Sequence, residues 1–296
     1  MKPITTIAAA AGALLLLTGC DVKDAIYDTP HPEKGTITLT ADWSGIGEGL
    51  TRPASYTVTA GDYSATLSGT TYLLDNLFTP GKYSIYTYNT AEHITVSGTI
   101  ATVGEATGNV DGVGTFVSNV PGWLFTSVTE AVIEKDKDHA FTAVMRQQVR
   151  QLTLMIEPTG GTTDRIERIE GYLTGAAGTL DFADGTNAMH ATPMNVELEF
   201  EKIAEGDNAG KWSVTVRLLG TAGAQQKLNA KLYFADGSPA PVTLESDLSE
   251  ELATFNANKR EPLVLGGKVV ETPTGADFGA TIIDWTPVNG GPVVAD

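Results

Sequence analysis

The sequence predicts an all-β chain arranged as two antiparallel β-sandwich domains. Short runs of alternating apolar and polar residues recur along most of the chain after residue 35, bounded by Gly, Pro, Asn or Asp. One stretch beyond the first twenty residues, 246–255, has helical spacing, with Leu248, Leu252 and Phe255 near one face and Ser246 or Asp247 placed to cap it. At least six strands fall before residue 145 and at least six after it, a sandwich's worth on each side.

Met1 and Lys2 give a short positive start, and residues 7–17 are apolar or small. That run is too short to cross a bilayer as a permanent helix and has the layout of a secretory signal over residues 1–19. Leu17, Thr18, Gly19 and Cys20 look like a bacterial lipobox, where the peptide is cut before the cysteine and the cysteine is acylated. Cys20 is the only cysteine, so no disulfide or cysteine-rich metal site competes for it. Lipidation at Cys20 and a tethered existence outside the cytoplasm are therefore expected.

Residues 20–35 read as a tether, since Asp21, Lys23, Asp24, Asp28, Pro30, His31 and Pro32 cannot build a core. From residue 36 the period is two, with Ile37, Leu39 and Ala41 on one face. Residues 44–49 hold three glycines and form a loop. Strands follow at 55–60 and 62–68, then at 82–89 after the Pro80-Gly81 turn, and at 93–100. Residues 101–120 are glycine-rich and weakly patterned, a long loop with a short strand near 115–117. The strand 123–133 leads through the charged turn Lys135, Asp136, Lys137, Asp138 to a strand at 140–145. In 147–157, Val149, Leu152, Leu154 and Ile156 keep one phase only with a bulge near Arg150. Residues 165–172 suit a strand or a short helix. Strands at 195–200, 212–218 and 227–234 precede the Asp236-Gly237 hairpin turn, and 263–270 and 280–285 close the chain. The N-terminal domain is placed at 36–145 and the C-terminal domain at 146–296, packed closely because no Pro/Gly linker separates them.

The net charge of −17 argues against a nucleic-acid partner and against a polybasic membrane patch. No nucleophile elbow, zinc-protease helix or phosphate loop is present, so no enzymatic activity, cofactor or metal is expected. His31, His93, His139 and His190 are too scattered for a local metal site. Asp42-Trp43 and Asp284-Trp285 each suit either a sugar contact or a strand end with a packed indole. Asp181 and Asp184 lack the full calcium-loop pattern. Residues 121–125 suit an aromatic contact or a strand entering the core.

Taken in order, several segments resemble fimbrial subunits of the Bacteroidota fimbrillin superfamily, of the minor or anchor FimB type. They are the lipobox, Tyr27-Asp28 with Pro30-His31-Pro32, residues 37–44, 77–89 and 147–152, and the closing Ile283-Asp284-Trp285. The resemblance covers nearly all of residues 20–296. It implies two β-sandwich domains of transthyretin-like topology, an outer-membrane lipoprotein exposed at the surface, and a part in pilus assembly and cell adhesion. In polymerising members an arginine-specific protease removes the first strand, and a neighbour's C-terminal strand fills the groove. Anchor members keep their first strand and their lipid. Here the first arginine after Cys20 is Arg52, and Pro53 behind it hinders such cleavage by removing the amide N–H and stiffening the chain. The first strand is therefore expected to stay in place. The resemblance offers two roles for the C-terminal strand with Ala280, Ile282, Asp284 and Trp285: donor strand, or last strand of the second domain. The partners it implies are a major fimbrial subunit, met by strand addition, and a host or bacterial surface receptor. The competing reading is a glycan- or protein-binding surface lipoprotein that does not polymerise.

Overall fold

A computed structural model describes residues 30–108, 113–159, 165–183, 193–237, 239–274 and 277–288. The chain opens with β1 (Gly35–Asp42), β2 (Ser55–Ala60), β3 (Tyr63–Ser68), β4 (Thr71–Leu73) and β5 (Gly81–Tyr88). Four short strands follow: β6 (Ile94–Ser97), β7 (Ile100–Val103), β8 (Glu105–Ala106) and β9 (Phe116–Val117). Next come β10 (Phe125–Ile133), β11 (Lys137–Val144) and β12 (Arg146–Gln147). The remainder comprises β13 (Arg150–Thr159), β14 (Ile166–Ala177), β15 (Thr179–Asp181), β16 (Pro193–Lys202), β17 (Trp212–Leu218), β18 (Lys227–Phe234), β19 (Val242–Asp247), β20 (Leu263–Thr274) and β21 (Asp277–Pro287).

Two sheets face each other in the first half, β11-β1-β4 and β12-β10-β5-β2-β3. Alternation places Ile37, Leu39 and Ala41 of β1 inward against Tyr56, Val58, Ile85, Phe125 and Ile133. Burying a side chain of this size contributes about 2 kcal/mol each, so the face chosen by the period-two pattern fixes the register of β1. The second half is one large sheet in the order β19-β18-β14-β16-β17-β13-β20-β21. It curls until its end strands meet, where the Trp285 indole of β21 donates to Ser246 Oγ of β19 at 2.8 Å. The result is a nearly closed barrel around Leu152, Leu154, Ile156, Leu198, Leu228 and Phe255.

Three pairings are parallel rather than antiparallel: β1 with β11, β13 with β20, and β9 with β16. Alternation along one strand fixes which face is buried but not the direction of the neighbour, so the sequence reading of purely antiparallel sheets is corrected here. The expected helix at 246–255 is also corrected. Residues 246 and 247 belong to β19, and the chain then runs through successive turns, with Leu252 N donating to Leu248 O at 2.9 Å and Phe255 N to Leu252 O at 2.9 Å. Leu248, Leu252 and Phe255 are buried as a helical face would be, because turns of this tightness reproduce its spacing. The ladder interruption between β12 and β13 falls at residues 148–149, beside Arg150.

The chain between β5 and β10 leaves the first core and joins the second. β7 pairs with β15, β9 pairs with β16, and Ala101, Val103, Val117 and Leu124 pack in the barrel core. A boundary drawn at 145/146 therefore leaves β6–β9 on one side of the line in sequence and on the other in packing.

Candidate functional site

The first strand, β1, is held from both sides. Gly35–Asp42 lies in the middle of its sheet, held by eight residue pairs to β11 on one side and by Thr38, Leu39 and Thr40 to β4 on the other. The chain ahead of β1 is pinned as well. His31 Nδ1 lies 3.0 Å from the Lys34 carbonyl, and His31 Nε2 lies 3.1 Å from Asp138 Oδ1, which also accepts from Thr36 Oγ1 at 2.6 Å. Both partners of the ring are acceptors, so they favour the form in which both ring nitrogens carry a proton. Desolvation opposes that charge, but the bonds to Lys34 and Asp138 outweigh it and raise the His31 pKa. Asp138 is lowered chiefly by the Thr36 hydroxyl, against desolvation, with His31 adding to the effect.

The signs give a pH window. The His31 contribution is complete below its ordinary 6.5 and is lost as pH rises through the raised folded value. The Asp138 contribution is complete above its ordinary 3.8 and is lost as pH falls through the lowered folded value. Residues 30–34 should thus be held most firmly between those two ordinary values. An NMR titration of the His31 ring should give a pKa above 6.5. Asp138→Asn should bring it down, and an unchanged value in that variant would refute the pairing.

Cys20 lies outside the described residues. Arg52 is exposed in the loop between β1 and β2, with Nη1 donating to Thr70 Oγ1 at 3.1 Å, and Pro53 follows it. Ala280, Ile282, Asp284 and Trp285 lie on β21, hydrogen-bonded in register to β20 at the end of the large sheet, with Ala280 opposite Glu271 and Ile282 opposite Val269. Ile282 is buried, Trp285 is half-buried and Asp284 is exposed with φ 58°. Arg52, in a loop beside the first core, and β21, in the large sheet, are therefore not brought together. The Asp42 carboxylate accepts from Ser44 N at 2.9 Å, which depresses its pKa, while the Trp43 ring packs edge-on at 6.0 Å from Tyr56 and 5.9 Å from Phe125. This is a strand end with a packed indole. Residues 121–125 enter the core, with Leu124 and Phe125 buried. Asp181 caps its own turn through Ala183 N at 2.9 Å, and Asp184 lies outside the described residues. Among the described residues no group of three or more metal-ligating side chains forms.

The junction between the two cores holds residues that the sequence reading did not single out. Gln147 Oε1 accepts from Gly47 N at 2.9 Å, while its amide donates to the Val149 carbonyl at 2.8 Å and the Lys259 carbonyl at 2.6 Å. A Cβ at Gly45 would lie 2.5 Å from the Met145 carbonyl, and one at Gly47 would lie 2.6 Å from the Arg260 carbonyl, so only glycine lets this loop approach so closely. Arg150, 6% exposed, donates through Nε to the Glu261 carbonyl at 2.7 Å and through Nη1 to the Phe255 carbonyl at 2.9 Å. Burial lowers its pKa. Lys259, 7% exposed, donates to the Leu219 carbonyl at 3.0 Å, and burial without a counter-ion lowers its pKa to about 8. The signal for Gln147 and Arg150 was present as two polar residues flanking an apolar strand. Lys259 gave none, since a lysine in a polar turn reads as solvated.

The fold recurs in solved structures. A Bacteroides ovatus protein provisionally described as an adhesin matches with a TM-score of 0.57 at 20% identity, over 89% of this chain and 97% of that one. A second B. ovatus protein with the same description matches at 0.55 and 12% identity, over 87% and 96%. The fimbrial anchor protein Mfa2 from Porphyromonas gingivalis matches at 0.55 and 16% identity, over 87% of this chain and 98% of that one. No protein-family model and no curated protein matches the chain. At these identities the likeness is one of fold: the chain folds as Bacteroidota adhesin-like and fimbrial proteins do.

Proposed function

We propose that the chain is a surface-exposed outer-membrane lipoprotein that serves as a minor or anchor fimbrial subunit in pilus assembly and cell adhesion, attached through lipid on Cys20. Its two cores are read as β-sandwich domains of transthyretin-like topology, and no catalytic step is assigned to it. The observation that carries the proposal is β1, seated centrally with eight pairs to β11. A subunit that polymerises by losing its first strand must release it after cleavage, and the eight pairs that hold β1 to β11 in the uncleaved chain oppose that release. Arg52-Pro53 supports the same reading, because the only arginine ahead of β2 in the described chain is followed by proline. The fold likeness to a fimbrial anchor agrees with it. The major subunit meets this chain by strand addition, and β21, an end strand of its sheet paired with β20, is either the donor strand or the fixed last strand of the second domain.

Mass spectrometry of the N-terminus of protein from native cell surfaces tests the proposal. The expected species begins at acylated Cys20 and retains β1, and a chain beginning at Pro53 without lipid would refute it. Cys20→Ser should leave the protein unprocessed or release it from the membrane fraction. Membrane retention with normal processing in that variant would remove the lipid attachment from the proposal.

A further inference from the structure

The two ends of the first sandwich differ. At the start of β1, Gly35 exchanges backbone bonds with Phe78, and Asp136 N donates to the Lys34 carbonyl at 2.7 Å. Residues 31–35, 75–82 and 132–138 form this end, and among the described residues their hydrogen bonds and ion pairs stay within the first sandwich. The other end, where β1 finishes, meets the barrel. Met145 N donates there to the Asp42 carbonyl at 2.8 Å, and Gln147 bridges Gly47 to the Lys259 carbonyl. Phe182, beyond β15, packs on Tyr86 and Tyr88, in the half of β5 nearer this junction. β13 then leads from Arg150 at the junction to Thr159, and Ile156 near its far end lies opposite Trp212, next to the loop 203–211. The start of β1 is thus one extreme of the molecule, and loop 203–211 lies beyond the junction.

The tether enters at the first of these places. From Cys20 to His31 the chain spans at most about 40 Å, whatever path it takes. The next residues add nothing to that reach, because His31 is fixed to Lys34 and Asp138. β1 covers about 26 Å toward the junction, and β13 leads about 33 Å beyond it. The tether is too short to pass round both. Charge does not select this end, since Lys34, Lys82 and Lys135 stand among Glu33, Glu134 and Asp136. Leu77 and Val132 are exposed on it, at 44% and 59%, so it meets a surface with apolar groups as well as charged ones.

We infer that the short, pinned tether holds this end of the first sandwich against the lipid surface and turns the barrel, with loop 203–211 and β21, away from it. The inference rests on the lipid attachment at Cys20 proposed above and adds an orientation to it. Apposition to lipid here follows from confinement, not from affinity of the end itself. The barrel then stands outermost, where another protein subunit meets it first.

The test takes the lipoprotein from native membranes into vesicles of phosphatidylethanolamine and phosphatidylglycerol that carry an energy-transfer acceptor on a headgroup. Acylation occupies the only native thiol, so a fluorescent donor goes to one introduced cysteine. Val132→Cys and Lys135→Cys mark the tether end, and Ala204→Cys marks the loop beyond the junction. Transfer to lipid should be strong from residues 132 and 135 and largely lost at 204. A Gly/Ser insertion of about twenty residues after Asp28 adds roughly 70 Å of reach and should even out the three. In chains whose mass shows lipid on Cys20, equal transfer from the three positions, stronger transfer from 204, or a ranking unchanged by the insertion would overturn the inference and leave the anchor reading standing. Native protein without lipid on Cys20 would overturn both.

Discussion

Leu39→Asp is expected to prevent the first sandwich from closing. Leu39 is fully buried, in β1 between β11 and β4, with its side chain in the first core. A carboxylate there loses its hydration with no donor placed to meet it, and the apolar contacts of the leucine go as well. The cost is more than about 4 kcal/mol, a large part of the stability of a typical domain. Hydrogen exchange should become fast along β1, β4 and β11, while the β13–β20 ladder keeps its protection, because its core is separate. Full protection of β1 in the variant would show that this strand does not depend on its apolar face. Leu39→Ala should give the milder loss of about 3 kcal/mol expected for a buried truncation.

Arg150→Ala is expected to loosen the junction between the two cores. The guanidinium satisfies the carbonyls of Phe255 and Glu261 and stacks 5.0 Å from the Phe255 ring. Removing it leaves two carbonyls without their donor and a void where the side chain lay, a loss of about 3 kcal/mol. Thermal unfolding should shift down by roughly 6–12 °C. Arg150→Lys should recover only part of this, since one ammonium cannot reproduce a forked donor whose Nε and Nη1 address different carbonyls. An unchanged melting temperature for Arg150→Ala would mean that the turns at 248–257 hold without it.

Those turns also mark where the sequence stopped being legible. Leu248, Leu252 and Phe255 announced their burial correctly, but a helix and a succession of turns bury the same spacing, and only the tertiary contacts separate them. The face of β1 was legible for a similar reason: Ile37, Leu39 and Ala41 alternate, and one face of a sheet must be apolar. Its partner was not, because nothing in residues 35–42 encodes whether the neighbour is the hairpin strand next in sequence or one a hundred residues on, or which way it runs. The site divides along the same line. Arg52 ahead of Pro53 and the polar Gln147 and Arg150 are local features visible in the string. The clustering of Arg146, Lys259 and Arg260 comes from separate elements meeting across the junction, and no local pattern carries it.

The pairing of β1 with β11 also sets an order of events. Gly35 meets Lys137 and Asp42 meets Val144, so the strand nearest the start of the chain waits for one about a hundred residues later. While the chain is being made, the first-emerging strand has no lasting partner, because the three pairs it makes with β4 are too few to hold an isolated strand. Such long-range closure is slow compared with hairpin formation. Once β11 arrives, β1 docks and His31 closes on Asp138. Seating of the first strand is thus a completion signal, since it occurs only after the chain has emerged at least to Val144.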